Sequence, residues 1–350
     1  MTSRPKPKLV LHVGMPKTGS SALQNWLAKS RPFLRTQGVL YPGQGKSQSF
    51  LSLPLDFEAH GSRLLIDKIG RSQAKADRLF ETEWRALEEE IRTTAPSTVV
   101  LSTEYLFARL GLTGRETLLM RLAACFSEVQ TVVYVRQPSK YFASLALQRV
   151  RHSATLLPVA PLHVRTALET WDAAFPGHVE VRTYDRDALV QGDIVADFLT
   201  TQLGLTGQGP GTRESVNKSM SAEAAHLMQS VQREEFAGQD NVVLRERNRY
   251  RKRLLAADER VSGAQRPKLL PEVAAYLDES STDLLWLRER YGVIFEALDY
   301  ERIGERPGWS GSSERIADLF EIDENRLQRL EAAMRRSRLP SLSWFMGKRR

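Results

Sequence analysis

The chain reads as an α/β protein: three layers, α/β/α, around a central parallel sheet of about five strands, with a helical region at the C-terminal end. Three observations predict it. Over the first two hundred residues, short β-branched apolar runs alternate with amphipathic helical patterns, as a parallel sheet with crossover helices requires. The first of those runs passes through a glycine-bearing turn straight into a helix. Beyond the Gly/Pro/Thr-rich stretch Gly204–Thr212 only helical signals remain.

Taken in order, Lys8–Val13 is a buried-strand candidate. The helix after it carries Leu23, Trp26 and Leu27 on one face. Thr36–Tyr41 is a weaker strand closed by Pro42-Gly43, and 44–70 is irregular. A helix over Asp77–Thr93 has Leu79, Trp84, Leu87 and Ile91 as its stripe. Strand Thr98–Ser102, helix Thr117–Phe126 and the strongly β-branched strand Thr131–Arg136 follow, the last stopped by Pro138. Helices at Tyr141–Arg151, Val164–Phe175 and Ile194–Leu203 flank a fifth strand, Val179–Tyr184. Further on, helices are expected at Ala222–Val231, Arg245–Arg253, Pro271–Tyr291 and Glu314–Met334. The domain reading is 1–212 for the α/β core, 213–300 for a helical region completing it, and 301–350 for a C-terminal helix and basic tail.

Composition narrows the class. The 350 residues are 41% hydrophobic and 26% charged, a globular profile that excludes collagen-like and low-complexity chains. The single cysteine, Cys125, leaves no intramolecular disulfide and no cysteine-based metal site, so a reducing, cytoplasmic setting is expected. The apolar run Leu9–Val13 is far too short for a membrane span of about 20 residues. Net charge is +8, but six of the basic residues fall in 335–350, where there is no acidic one. The body is close to neutral, and a nucleic-acid partner loses its main support.

The chemistry concentrates at Gly14-Met15-Pro16-Lys17-Thr18-Gly19-Ser20-Ser21, between the first strand and its helix. A turn there aims free backbone N–H groups and the positive end of a helix dipole at one spot. Gly14 and Gly19 permit a close backbone approach, Lys17 adds a charge, and Thr18, Ser20 and Ser21 add hydroxyls. The bland alternative is a capped helix after a buried strand. The nucleotide-triphosphate P-loop places lysine directly after its second glycine and its hydroxyl on Mg²⁺. Here lysine has moved inside the loop, and no strand ends in the aspartate that would hold Mg²⁺. The turn suits a phosphate-type ligand with no metal.

Strand, Pro16-Lys17-Thr18-Gly19-Ser20-Ser21 and helix together resemble the 5′-phosphosulfate loop of sulfotransferases that use 3′-phosphoadenosine 5′-phosphosulfate (PAPS). That family has a second element, a strand ending in arginine with a serine eight positions later. Here Val132–Val135 runs into Arg136, and Ser144 stands eight residues on. The resemblance covers roughly residues 8–220, within the carbohydrate-type or bacterial branch. It implies that Lys17, Thr18, Gly19, Ser20 and Ser21 hold the phosphosulfate and that Arg136 and Ser144 hold the 3′-phosphate. Adenosine 3′,5′-bisphosphate would be the product. Taken alone, Arg136 and Ser144 read equally as a surface ion-pair former and a helix-facing hydroxyl.

Carbohydrate-type members often use a glutamate as base, which nominates Glu104 in Leu101-Ser102-Thr103-Glu104-Tyr105, with Lys17 stabilising the leaving group. Glu104 could instead cap a turn or pair with Arg109. Histidine serves in some relatives: His12 sits within the first strand, His60 in the irregular stretch, and His152 after the Ser144 helix. Gln148 and Arg151 share a face with Ser144 and read first as a solvated face, with lining of the cofactor or acceptor cleft as the alternative. Tyr184–Leu189 and Asn217–Ser221 also look like the family, with Arg213 and Lys218 as further phosphate contacts. The implied partner is a hydroxylated small molecule or saccharide, with the hydroxyl of a carbohydrate or glycolipid as acceptor. The basic tail, with Trp344 and Phe345, offers peripheral membrane contact. Rival readings are a Mg-ATP phosphotransferase with a degenerate P-loop, and a non-catalytic nucleotide-binding module.

Overall fold

A computed structural model describes residues 5–55, 70, 72–206, 220–242 and 244–336. His60, Arg213, Asn217, Lys218 and the tail from 337 lie outside the described residues. The protein is α/β, with one five-stranded parallel sheet ordered β2-β3-β1-β4-β5. By its internal contacts the chain forms two compact units interleaved in sequence. The first comprises Met1–Arg136, His163–Glu214 and Asp283–Ala297; the second comprises Gln137–Leu162, Ser215–Thr282 and Leu298–Arg350. Among the described residues no helix is long and apolar enough to cross a membrane.

The first unit holds the sheet: β1 (Lys8–Val13), β2 (Val39–Leu40), β3 (Thr98–Thr103), β4 (Glu128–Val135) and β5 (Val179–Thr183). The central strands β1 and β3 are nearly continuous buried runs because both faces are covered, as in parallel sheets generally, whereas the edge strand β5 buries only Val181. On one face Val10, Val100, Val132 and Tyr134 pack with Leu23, Trp26 and Leu27 of α1 (Ser20–Lys29), and with the Ile194 and Phe198 side chains. The alternate register, Leu9, Leu11, Val99, Leu101 and Val133, is equally buried. Since all strands run parallel, their C-terminal ends share one edge. The order makes the chain turn back at β1, and open α/β sheets bind ligands outside such a switch point.

Three expectations on element boundaries are corrected. The stretch 36–41 is strand only at Val39–Leu40, because a short helix, Arg31–Thr36, with proline in its first turn, takes up the start. Helix Pro271–Tyr291 is two helices, Pro271–Glu279 and Asp283–Tyr291. The hydroxyls of Ser280 and Ser281 donate back to the Tyr276 and Leu277 carbonyls at the break. Helix Glu314–Met334 begins only at Glu324, because Ile316–Asp318 forms a separate short turn and Leu270 and Glu321 then donate backbone N–H groups to Leu319 and Lys268, pairing that stretch with 268–270. Pro138 stops β4 as expected, yet it also opens the helix Pro138–Arg149.

The second unit has its own core, with Phe142, Leu147, Met228, Leu254, Leu277, Phe320 and Leu330 among its buried residues. It also buries Arg326, paired to Glu223 and to Asp258 at 2.6 Å each, and donating to Ser221 Oγ at 2.8 Å.

Candidate functional site

Strand pairing builds the site before any side chain is considered. Val13 pairs with Thr103 across β1 and β3, so the residues after each, Gly14 and Glu104, leave the sheet side by side. The Gly14 N–H donates to the Thr103 carbonyl at 3.2 Å and ties the loop to that strand end. On the other side of β1, β4 runs past the paired segment and ends at Val135, which delivers Arg136 to the same edge.

The loop 14–19 takes its shape from two left-handed residues, Lys17 (φ 67°) and Gly19 (φ 80°). A lysine in that conformation is strained, costing about 1 kcal/mol or more, and such strain persists only where surrounding bonds hold it. Two bonds do so here. Thr18 Oγ1 donates to the Met15 carbonyl at 2.6 Å, and Arg136 Nη1 donates to the Lys17 carbonyl at 2.9 Å. A Cβ at Gly14 would collide with Ser20 Oγ, and one at Gly19 would meet the Tyr184 hydroxyl at 2.9 Å. Gly19 N-caps α1 with no side-chain cap bond; the Ala22 N–H turns to the Gly19 carbonyl at 2.9 Å, so the Ser20 and Ser21 N–H groups are those the helix start offers an anion.

Electrostatics link the carboxylate to the loop. Burial pushes the Glu104 carboxyl above its ordinary range, opposed by the Ser20 hydroxyl and the Lys17 charge. The Ser20 hydroxyl lies against this carboxyl without a well-formed hydrogen bond. The Tyr184 N–H donates to the Val135 carbonyl at 2.7 Å, and its ring lies beneath the Arg136 guanidinium at 5.7 Å. Tyr184 thus fills the space between Arg136 and Gly19.

Under the loop, His12 is fully buried, with Nδ1 2.8 Å from Ser102 Oγ, which also accepts from Gln24 Nε2 at 3.1 Å. Burial lowers the His12 pKa to about 4, so the ring is neutral at neutral pH. His12 is a packed core residue in this setting.

The structure brings Lys17, Gly19, Ser20, Glu104 and Arg136 to one edge. The Thr18 hydroxyl spends its proton inside the loop, leaving the backbone N–H as its donor toward a ligand. Ser21 is exposed on the first turn of α1. Ser144 stands half-buried on Pro138–Arg149 in the second unit, so its partnership with Arg136 rests on their sequence spacing. His152 is exposed in the second unit, and Gln148 is exposed as a solvated face would be. Arg109 lies over the Tyr105 ring at 5.7 Å. The sequence points to Tyr184 only as the start of a family-like segment after the fifth strand; its place beside Arg136 and Gly19 comes from the fold. Its signal was an aromatic directly after a sheet strand, at the ligand-binding edge.

No protein-family model matches the chain, and no curated protein matches it. Among solved structures it is similar to the sulfotransferase domain from the curacin biosynthetic pathway, at 15% identity and a TM-score of 0.30, over 73% of this chain and 99% of that one. It is also similar to the sulfotransferase domain from the Synechococcus PCC 7002 olefin synthase, at 12% identity and a TM-score of 0.31, over 59% and 77%. Overlaps this slight carry no assignment.

Proposed function

We propose that the chain is a sulfotransferase that moves a sulfuryl group from PAPS to a hydroxyl acceptor, with a saccharide as the acceptor class. The observation that carries this reading is the clasped loop: Lys17 held left-handed, its carbonyl gripped by Arg136, and Glu104 against Ser20. The fit to a phosphosulfate is chemical. Two glycines that exclude a Cβ, an uncapped helix start, a lysine and an arginine converge on one edge, a set of donors and charges that suits a multiply charged anion.

The donor supplies an activated sulfuryl group and departs as adenosine 3′,5′-bisphosphate. Lys17 and the N–H groups of the first turn of α1 hold the 5′-phosphosulfate, and Arg136 offers its guanidinium to the 3′-phosphate. Ser144 joins Arg136 in that task by the family spacing. Glu104 takes the proton of the attacking hydroxyl, a role that its raised pKa favours. Lys17 sits close enough to Glu104 to act on its charge, which puts the leaving-group cation and the base in one site.

Thermal unfolding with adenosine 3′,5′-bisphosphate and with Mg-ATP tests the reading. Stronger stabilisation by the bisphosphate is expected, and stronger stabilisation by Mg-ATP would overturn it in favour of a phosphotransferase. Lys17→Ala and Arg136→Ala should each weaken bisphosphate binding about ten- to a hundredfold, by titration calorimetry, as loss of a charged hydrogen bond does.

A further inference from the structure

The second unit carries a concentration of positive charge that sulfuryl transfer does not use. Arg247 and Arg251 stand one helical turn apart on the helix Arg245–Arg260. Arg247 is only 1% exposed. It is pinned by bonds from Nη1 to the His152 and Val242 carbonyls at 3.2 and 2.6 Å, by one from Nη2 to the Gln239 carbonyl at 2.9 Å, and by the Phe236 ring beneath it at 4.9 Å. Its bond to His152 joins this helix to the turn that follows Pro138–Arg149, where Arg151 and His152 lie. Three arginines and a histidine therefore meet in one place.

The Asp240 carboxylate acts on the Arg247 charge. Among the described residues the side chains of Arg151 and Arg251 make no ion pair or hydrogen bond, and the Nε atoms of Arg151, Arg247 and Arg251 are all buried without a partner. Asp240 is the carboxylate nearby, and it is occupied by the Ser153 hydroxyl at 2.8 Å and the Ala154 N–H at 3.0 Å. Arg149 is likewise taken up, by the Thr155 carbonyl and the Asn241 side chain. Buried N–H groups on mutually repelling guanidiniums are costly unless something anionic meets them. Arg151 feels Arg251, and His152 is driven below its ordinary pKa by burial and by Arg251, Arg247 and Arg151. The end of Pro138–Arg149 offers a partial negative charge, but a helix dipole leaves an empty Nε unbonded.

We propose that Arg151, Arg251 and His152, floored by Arg247, form a binding site for a tetrahedral oxyanion of the phosphate or sulfate class. Arg151 and Arg251 are half-buried and His152 is exposed, so the ligand enters from solvent and meets both guanidinium forks. All four residues belong to the second unit, so the site stands or falls independently of the sulfotransferase reading.

The test is NMR of the histidine ring signals of the full chain, with His152 assigned through His152→Gln, titrated with inorganic phosphate against chloride at constant ionic strength. A saturable shift of the His152 signal is expected. At saturation its titration midpoint should rise by about one pH unit, because a bound anion favours the protonated ring. Arg251→Gln and Arg151→Gln should each weaken the response about tenfold or more. Lys17→Ala, which removes the loop charge of the first unit, should leave it unchanged. Repeating the titration with inorganic sulfate and with glucose 6-sulfate distinguishes a free ion from a group carried on a larger ligand: whichever binds more tightly identifies the source. A non-saturable shift, a response intact in Arg251→Gln, or one abolished by Lys17→Ala would each overturn the proposal.

Discussion

At the scale of single residues, Glu104 shows how burial and close neighbours together set the ionisation of one carboxyl. Burial raises its pKa, while Ser20 and Lys17 pull it back. A base must be ionised to work, so a raised pKa moves the loss of activity on acidification to higher pH. The acid limb of kcat/KM should therefore fall through a midpoint above the ordinary glutamate value. Glu104→Gln should lower kcat by about 10²–10⁴-fold and erase that limb, as measured in a pH–rate series. An unchanged limb in the variant would assign it to another group. Thr18 makes the complementary point: a hydroxyl suited by type to a ligand is turned inward to brace the loop.

Among the elements, the loop between β1 and α1 is the one whose geometry the site depends on. Its two left-handed residues differ in kind, since Gly19 adopts φ 80° freely whereas Lys17 at φ 67° needs its braces. A side chain at position 19 would meet both a strained φ and the Tyr184 hydroxyl. Gly19→Ala is therefore expected to destabilise the fold by about 1–2 kcal/mol in chemical unfolding. It should also weaken bisphosphate binding, because either the loop or Tyr184 must move. Loss of affinity without loss of stability would instead indicate that the loop relaxes and only the cradle is spoiled. The strands around it show the same economy of means. Their apolar runs are dictated by burial on both faces, and the chemistry is left to the residues one step past each C-terminal end.

For the molecule as a whole, each of the two cores carries a buried ionic centre. The first unit covers its sheet on both faces and buries Asp197, which pairs with Arg182 at 2.8 Å and accepts from the Tyr134 hydroxyl at 2.7 Å. The second adds a buried polar centre in which Arg326, 1% exposed, satisfies Glu223, Asp258 and Ser221 together. Removing only the arginine strands two buried carboxylates, which outweighs any relief from desolvation. Arg326→Ala should cost about 3–5 kcal/mol in urea unfolding. A cost below about 1 kcal/mol would show that water replaces the guanidinium.

Much of this was legible in the amino-acid order, and the reason is locality. Lys8–Val13, Ile194–Leu203 and the loop 14–21 are each specified by neighbours within a few residues, through periodicity, glycine placement and hydroxyl content. The α/β class and the five parallel strands follow from repeating that pattern. What tertiary structure alone decided depends on residues far apart in the chain. The strand order, with β1 between β3 and β4, sets Glu104 beside Gly14. Arg136 reaches the Lys17 carbonyl across 119 positions, and Tyr184 fills the space beside Gly19. The pairing of 268–270 with 319–321, which shortened an expected helix, is of the same kind. Spacing along a chain encodes which face a residue occupies, but the partner across that face is chosen by packing the whole sheet.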